Sequence, residues 1–256
     1  MKKFIAMLLA LAMVLAFAGC AAEKPPETTA APEPEAPVVE TEAPVVETEA
    51  PAETEAAATV MSYAEFAAAE LDTEVTVETY VQTIESWWDG KCHIYAQSED
   101  GGYYIYGYEC TEDEAAALVP GTKILVKGWK TAWEGEVEIM DATIEVLEGS
   151  YIVEEAFDAT ALLGTDDLIK HQNKLAKFTD MTVVSIEYKN GQPGDDIYVT
   201  LSKDGASYSF CVERYLTGPE TEVYAAVSAL EKGDVVDVEG FLYWYEGVNT
   251  HITAVK

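Results

Sequence analysis

The chain has 256 residues and a formal net charge of −32 at pH 7, because 47 acidic residues outnumber 15 basic ones. A protein that binds phosphate backbones normally carries a basic patch. The lysines here form only two small groups, which we interpret as solvent-exposed faces. The first group is Lys123, Lys127 and Lys130, and the second is Lys170, Lys174 and Lys177. The composition therefore argues against nucleic acid and against anionic membrane surfaces as partners.

The first twenty residues have the pattern of an export signal. Lys2 and Lys3 give a positive start, and the apolar run over 4–17 is too short to span a bilayer comfortably. The run ends in F-A-G-C, which resembles the lipobox of bacterial lipoproteins. The resemblance implies a signal peptide over 1–20, a lipid anchor on Cys20 and an extracytoplasmic protein held at the cell membrane. The alternative is an ordinary secretory signal with an incidental cysteine.

Residues 21–58 have the composition of a disordered, acidic linker. The heptapeptide E-A-P-V-V-E-T occurs at 35–41 and again at 42–48. A proline in every repeat excludes a continuous helix, so the seven-residue period does not indicate a coiled coil. Prolines among like-charged glutamates favour an extended, solvated chain that holds the folded part away from the membrane.

Residues 59–149 predict a first small β-domain. It opens with a helix over 61–71, which begins at the N-cap Ser62 and has Glu65 to complete a capping box. The pattern then predicts, in order, a strand with alternating valines from 75, strands over 92–97 and 103–110, a helix over 111–118, and two strands joined around Gly135.

Residues 150–256 predict a second domain with the same order of elements. Its strands follow a helical lead-in and enclose one further helix. The predicted elements are the lead-in over 157–172, strands over 178–188, 197–201 and 207–212, a helix over 219–230, and a closing pair of strands from Gly233 onwards.

One glycine-punctuated stretch recurs in both domains, at 121–135 and at 233–247. Each copy has glycines seven residues apart, alternates apolar and polar residues between the first two, and closes on aromatic-Glu-Gly. An apolar–polar alternation that is interrupted by a glycine predicts a kinked strand. The kink is expected at Gly128 in the first copy and at Gly240 in the second, and the hairpin turns that follow are expected at Gly135 and Gly247.

Strand, hairpin, short helix and hairpin is the element order of the OB-fold, a five-stranded, partly open barrel. On these elements, residues 59–256 resemble the tandem OB-fold domains found on lipoproteins of Gram-positive type. The resemblance implies a mainly β protein with short helices, built as two tandem five-stranded OB-fold-like barrels after the linker. Fold alone does not give function.

Aromatic side chains are the candidate ligand-binding residues. In OB-folds, rings on the second and third strands stack on bases or sugars. The candidates are Trp87, Trp88, Tyr104, Tyr106, Tyr108, Trp129, Trp133, Tyr243, Trp244 and Tyr245, and we expect the three tyrosines from 104 to 108 to share one strand face. The alternative is that these rings fill the barrels or the interface between them. Because no basic track accompanies them, a sugar or peptide is favoured over nucleic acid.

Cys92 and Cys110 form a candidate disulfide. If their hairpin is centred on Gly101, the residue numbers of any two directly opposed residues add up to 202. The numbers 92 and 110 do so, and the two cysteines would therefore face each other. A directly opposed pair in an exported protein can be bridged, and the alternative is two reduced thiols separated by a shift in register. Cys211 has no evident partner and is expected in the core.

The sequence predicts no metal site, no cofactor and no catalytic residue. His93, His171 and His251 are scattered without ligand spacing. Asp195 and Asp196 lack the alternating oxygen ligands of a calcium loop and are expected in a solvated turn. We find no nucleophile elbow, phosphate loop or Ser-x-x-Lys motif, so we do not expect an enzyme.

These observations predict a non-catalytic ligand-binding or adaptor protein of the cell envelope, whose partner is an extracellular glycan, peptide or envelope protein. One alternative is an oligonucleotide-binding protein for single strands, the function most associated with OB barrels. A more remote alternative is a hydrolase with carboxylate chemistry, which would require a deep cleft holding an inward pair of acids of raised pKa.

Overall fold

The computed structural model describes residues 59–256, which form two β-barrels in tandem. The predicted signal peptide, the lipidation site Cys20 and the linker lie outside the described residues. Within the described part of the chain, no helix is long and apolar enough to cross a membrane.

The first barrel has five strands and two short helices. The elements are α1 (Tyr63–Ala68), β1 (Thr73–Ile84), β2 (Lys91–Gln97), β3 (Gly102–Glu109), α2 (Glu112–Ala117), β4 (Thr122–Trp133) and β5 (Glu136–Ser150). The strands close in the order β1-β2-β3-β5-β4, with β3 and β5 parallel and the other pairs antiparallel. Ser62 and Glu65 form the predicted capping box of α1, and Thr111 and Glu114 form one on α2.

The second barrel repeats this order behind a short additional strand. Its elements are β6 (Phe157–Asp158), two 3₁₀ turns (Thr160–Leu162 and Leu168–His171), β7 (Leu175–Tyr188), β8 (Ile197–Lys203), β9 (Ala206–Val212), α3 (Glu222–Ser228), β10 (Val235–Phe241) and β11 (Asn249–Val255). The strands close as β7-β8-β9-β11-β10, with β9 and β11 parallel. The predicted fold of two five-stranded OB-like barrels is therefore confirmed. The lead-in over 157–172 starts as a strand and contains only 3₁₀ turns, so its prediction as a helix is wrong in detail.

The glycine stretch builds the same corner in each barrel. The strand register shifts beside Gly128 and beside Gly240, as predicted. A Cβ on Gly128 would lie 2.7 Å from the Met140 carbonyl oxygen, and one on Gly240 would lie 2.2 Å from the carbonyl oxygen of His251. No other residue fits these close approaches between strands, which explains the glycines.

Lys130 has a structural role that its place among the exposed lysines did not suggest. It continues the inward-facing alternation of Ile124, Val126 and Gly128 along β4 and is 5% exposed. Its Nζ donates hydrogen bonds to three carbonyl oxygens at the end of α1, those of Phe66 (2.8 Å), Ala67 (3.1 Å) and Ala69 (2.7 Å). The Phe66 carbonyl also accepts from the Ala69 N–H at 3.2 Å, whereas no backbone donor of the helix reaches the other two, so the ammonium caps the helix. The interpretation of Lys130 as a solvated lysine is wrong.

The two barrels meet through the outer face of β2 and β3. The rings of Tyr95 and Phe241 stack at a centroid distance of 4.4 Å and an interplanar angle of 11°. The Leu175 N–H donates to Gln97 Oε1 at 2.8 Å. A Cβ on Gly102 would lie 2.4 Å from the Asn173 backbone, so the chains are in direct contact. This interface covers part of the face on which OB-folds usually bind ligands.

Candidate ligand-binding cleft between the barrels

A cleft runs along the open edge of the interface and is centred on Tyr243. Three adjoining cavities, of about 290, 310 and 560 Å³, are each lined by this residue. We call them together the Tyr243 cleft. Its other principal lining residues are Glu85, Trp88, His93, Tyr104, Tyr106, Trp133, Glu138, Met140, Asp196, Glu213, Tyr245 and His251.

Tyr243 is positioned by the turn that follows β10. Its N–H donates to the Phe241 carbonyl at 2.8 Å, and its own carbonyl accepts from Asn249 N at 2.9 Å. The ring stacks on His251 at a centroid distance of 4.4 Å and meets the edge of Tyr104 at 5.5 Å. Contacts with both barrels therefore fix the ring at the bottom of the cleft.

Glu85, Tyr104 and His93 form a hydrogen-bonded group in the wall supplied by the first barrel. The Tyr104 hydroxyl donates to Glu85 Oε1 at 3.0 Å and lies 3.0 Å from His93 Nδ1. Burial raises the pKa of Glu85, the charge of Glu213 adds to this, and the bond from Tyr104 opposes it. Burial lowers the pKa of His93 to about 4, so the imidazole is neutral at neutral pH.

Glu213 enters the opposite wall directly after β9. Its Oε2 accepts hydrogen bonds from the backbone N–H groups of Tyr215 (2.7 Å) and Leu216 (2.9 Å). Burial and then the charge of Asp196 raise the pKa of Glu213, while the two N–H groups oppose the shift. Glu85 and Glu213 thus line one cavity as a pair of acids with raised pKa, the arrangement that a carboxylate-dependent hydrolase requires.

His251 shows how the cleft is joined to the interface. Its Nδ1 lies 2.9 Å from the Tyr95 hydroxyl, within a buried contact between the barrels. Burial lowers the pKa of His251 to about 3, and the nearby His93 adds to the shift. Both histidines are therefore neutral hydrogen-bonding groups. Among residues 59–256, no group of three or more metal-ligating side chains is arranged to hold an ion.

The structure divides the ten predicted aromatic residues between the cleft and other places. Trp88, Tyr104, Tyr106, Trp133, Tyr243 and Tyr245 line the cleft. Trp87 instead donates from Nε1 to the Cys110 carbonyl at 2.8 Å, and Trp244 packs against the core of the second barrel. Trp129 is 45% exposed and does not line the cleft.

Tyr108 does not share a face with Tyr104 and Tyr106. Tyr104 and Tyr106 point outwards, with ring centroids 6.3 Å apart, whereas Tyr108 packs against the core of the first barrel. Gly107 lies between them with φ +64. A residue in this left-handed conformation interrupts the alternation of a strand, so every side chain beyond it changes face.

Several polar residues of the cleft were missed from the sequence. Asp196 was expected in a solvated turn but is buried, accepting from Lys189 Nζ (2.8 Å) and from Arg214 N (3.1 Å). His93 and His251 looked scattered because they come from different barrels. No local pattern marks Glu85 or Glu213, since each follows a strand end and becomes part of a site only when the barrels meet.

The cysteine pair is close but not directly opposed. The β2–β3 register places Cys92 opposite Tyr108, because paired positions sum to 199 or 200 instead of 202. The predicted register is therefore wrong. The two Sγ atoms lie 3.8 Å apart as free thiols, so a bridge between them stays a prediction. Cys211 is buried, as expected.

Comparison with known proteins bears on the fold. No protein-family model matches the chain, and a search of characterised proteins found no match. Among solved structures, a murine DNA-binding protein bound with double-stranded DNA is 10% identical, with a TM-score of 0.36 over 71% of this chain and 97% of that one. The Ifi202 HINa domain in complex with 20-bp double-stranded DNA is 12% identical, with a TM-score of 0.34 over 73% and 96%. A replication protein A heterotrimer bound to single-stranded DNA is 12% identical, with a TM-score of 0.28 over 71% and 49%.

The strand order of its two barrels makes this a protein with two tandem OB-fold-like domains and a cleft between them. The likenesses concern the fold. DNA-bound proteins stand among the structures matched, which contradicts the expectation from charge that nucleic acid is a disfavoured partner. At this level of similarity the matches assign no partner to this chain.

Proposed function

We propose that this protein is a lipid-anchored, non-catalytic binding protein of the bacterial cell envelope, and that a glycan is its ligand in the Tyr243 cleft. The anchoring part of the proposal is supported by the lipobox-like sequence that ends at Cys20. The binding part is carried by one observation, the meeting of exposed aromatic rings with carboxyl and imidazole groups around Tyr243.

The rings offer stacking surfaces at both ends of the cleft. Trp88 lies at one end and Trp133 at the other, and these two indoles are 62% and 58% exposed. Such exposure of large apolar rings beside a concave surface is typical of a ligand site. Sugar rings can use their apolar faces against indoles, and OB-folds provide groove surfaces for oligosaccharides.

The polar groups between the rings suit a ligand that carries hydroxyl groups. Ionised carboxylates accept hydrogen bonds, protonated ones also donate, and a neutral imidazole does one of each. Glu85, Glu213 and His93 present these functions in one cavity. A polyhydroxylated ring can satisfy such a mixed set of donors and acceptors, whereas an apolar ligand would leave it unpaired.

An array of cell-envelope and other bacterial glycans, probed with the full chain, tests this proposal. We expect binding that weakens about tenfold or more in Trp133→Ala, on the magnitude of one lost stacking contact. Trp129→Ala is the matched control, because it removes an exposed indole outside the cleft. Unchanged binding in Trp133→Ala, or equal loss in both variants, would contradict the location.

The same preparation tests for turnover. Release of smaller sugars from a bound glycan, abolished in Glu85→Gln and Glu213→Gln, would replace the non-catalytic proposal by the hydrolase. The proposal predicts that the ligand is recovered intact.

Binding of single-stranded oligonucleotide is the second candidate. The observation that favours it is the same set of exposed rings, because every base has a face that can stack on an aromatic side chain. A titration with single-stranded DNA at low salt measures it, since electrostatic binding is strongest there. Tight binding that weakens steeply with salt and depends on Trp133 would place the oligonucleotide ahead of the glycan.

A further inference from the structure

We infer that the end of the Tyr243 cleft between Trp133 and Tyr106 is a subsite for a quaternary ammonium group such as that of choline. The inference rests on the proposed ligand-binding role of the cleft and names the chemical class that this end accepts. The cavity here measures about 310 Å³ and is lined by Tyr106, Trp133, Glu138, Met140 and Tyr243.

Three of these five residues are aromatic. A cation is attracted to the face of an aromatic ring by the ring's quadrupole, and several rings together form the cages that bind quaternary ammonium groups. Met140 adds a soft, apolar wall suited to methyl groups. Trp133 and Tyr106 are exposed, so the cavity opens to solvent and a ligand can enter.

Glu138 supplies the negative charge. It is only 5% exposed and has no salt-bridge partner among residues 59–256, although it lines the cavity. Burial raises the pKa of Glu138, and the Thr131 hydroxyl beside it opposes part of the shift. A buried carboxylate that has no cationic partner favours the binding of a cationic ligand. Pairing the two charges offsets the free-energy cost of burying the carboxylate.

The chemistry of the wall distinguishes this ligand from a metal ion. A metal would require several oxygen, nitrogen or sulfur ligands, and this cavity has one carboxylate among rings and a thioether. A quaternary ammonium group has no N–H to satisfy and presents methyl groups to the rings. One carboxylate balances its single charge.

Calorimetric titration of the full chain with choline chloride tests the inference, with 3,3-dimethylbutan-1-ol as the neutral ligand of the same shape. We expect choline to bind about tenfold or more tightly than the alcohol, because only the cation gains from the rings and the carboxylate. Trp133→Ala should lose this preference, while Trp129→Ala keeps it. Glu138→Gln should weaken choline but leave the alcohol unchanged.

Equal affinity for choline and the alcohol, or a preference that survives Trp133→Ala, would overturn the subsite. Failure of the subsite is distinguishable from failure of the proposed function. If choline does not bind but a glycan binds in a Trp133-dependent way, the cleft stands and the subsite is wrong. If choline binds and no glycan does, the subsite stands and the glycan proposal is wrong.

Discussion

The backbone N–H of Glu246 donates a hydrogen bond of 2.8 Å to the carbonyl oxygen of Glu134, and these two residues hold the same position in the two copies of the glycine stretch. The hairpins that end the repeat therefore contact each other across the interface. Both glutamates have positive φ, +48 for Glu134 and +53 for Glu246. This contact brings Trp133 and Tyr245, which precede the two glutamates, to the same cleft.

Gly135 is predicted to be essential for the hairpin contact. It has φ +97, and an added Cβ would lie 2.7 Å from the Trp244 ring. Gly135→Ala should lower the free energy of unfolding by about 2–4 kcal/mol, combining backbone strain with displacement of the ring. Urea denaturation measures this.

Gly233→Ala is the matched control for Gly135→Ala. Gly233 has φ +99, but a Cβ there would meet nothing within 4 Å. The Gly233→Ala substitution should lower the free energy of unfolding by about 1 kcal/mol, from backbone strain alone. Equal losses in the two variants would show that Trp244 moves aside freely and that the contact between hairpins does not restrain it.

Lys130→Met is predicted to destabilise the first barrel by about 2–4 kcal/mol, because the carbonyl groups at the end of α1 lose a charged donor in a buried place. Lys127→Met is the control. Lys127 pairs with Glu74 at 3.4 Å on the surface, where such a pair is worth about 0–1 kcal/mol. Thermal and urea unfolding of both variants measure the difference, and similar effects would refute the capping role.

Ionisation of Glu136 is predicted to lower the free energy of unfolding as the pH rises. Burial raises its pKa from 4.5 to about 8, and the charge of Glu138 adds to the shift, whereas the nearby Asn173 side chain and the hydrogen bond from Trp244 N–H oppose it. A carboxyl whose pKa is raised on folding contributes stability that is fully present below the unfolded pKa and is lost as the pH rises through the folded one. Its contribution therefore declines between pH 4.5 and about 8.

Urea denaturation from acidic to mildly alkaline pH tests this. Glu136→Gln should show a shallower decline than wild type, because the amide cannot ionise yet still accepts from Trp244 N–H. Some decline remains in the variant, since burial also raises the pKa of Glu85 and Glu213. Glu134→Gln, in the exposed turn next to it, should follow wild type. A Glu136→Gln curve parallel to wild type would contradict the assignment.

Much of the fold could be predicted because its determinants are local. The alternating valines of β1, the capping box at Ser62 and the glycine kinks at 128 and 240 each act within a few residues. The strand order then follows from known connections of the OB-fold. Predictions of side-chain orientation were wrong where a single residue interrupted the alternation of a strand. Gly107 does so in β3, and it places Tyr108 on the opposite face from Tyr104 and Tyr106.

The site could be predicted only in part because it forms between two barrels. The exposed rings Trp88 and Trp133 stand out as large aromatics near turns, so they could be found. Glu85 and Glu213 are two of 47 acidic residues, and composition alone cannot select them. Their shared cavity results from tertiary packing, which no spacing in the sequence encodes. Lys130 is different, since the inward alternation of β4 was a signal available in the sequence.

Mass spectrometry of the mature N-terminus tests the predicted anchor. We expect a diacylated Cys20 as the first residue after expression in a bacterial host with lipoprotein processing. A free Ala21 or an unmodified Cys20 would contradict anchoring. The binding proposal for the cleft would stand independently of that result.

The most direct test of the central claim is to map where the best ligand of the glycan array binds. Amide hydrogen exchange of the full chain, with and without that ligand, locates the protected segments. We predict protection in the turn around Tyr243, the segment after β9 that holds Glu213, and the β4–β5 hairpin beside Trp133. Protection confined to the outer surface around Trp129, with none around Tyr243, would contradict the assignment of the cleft as the binding site.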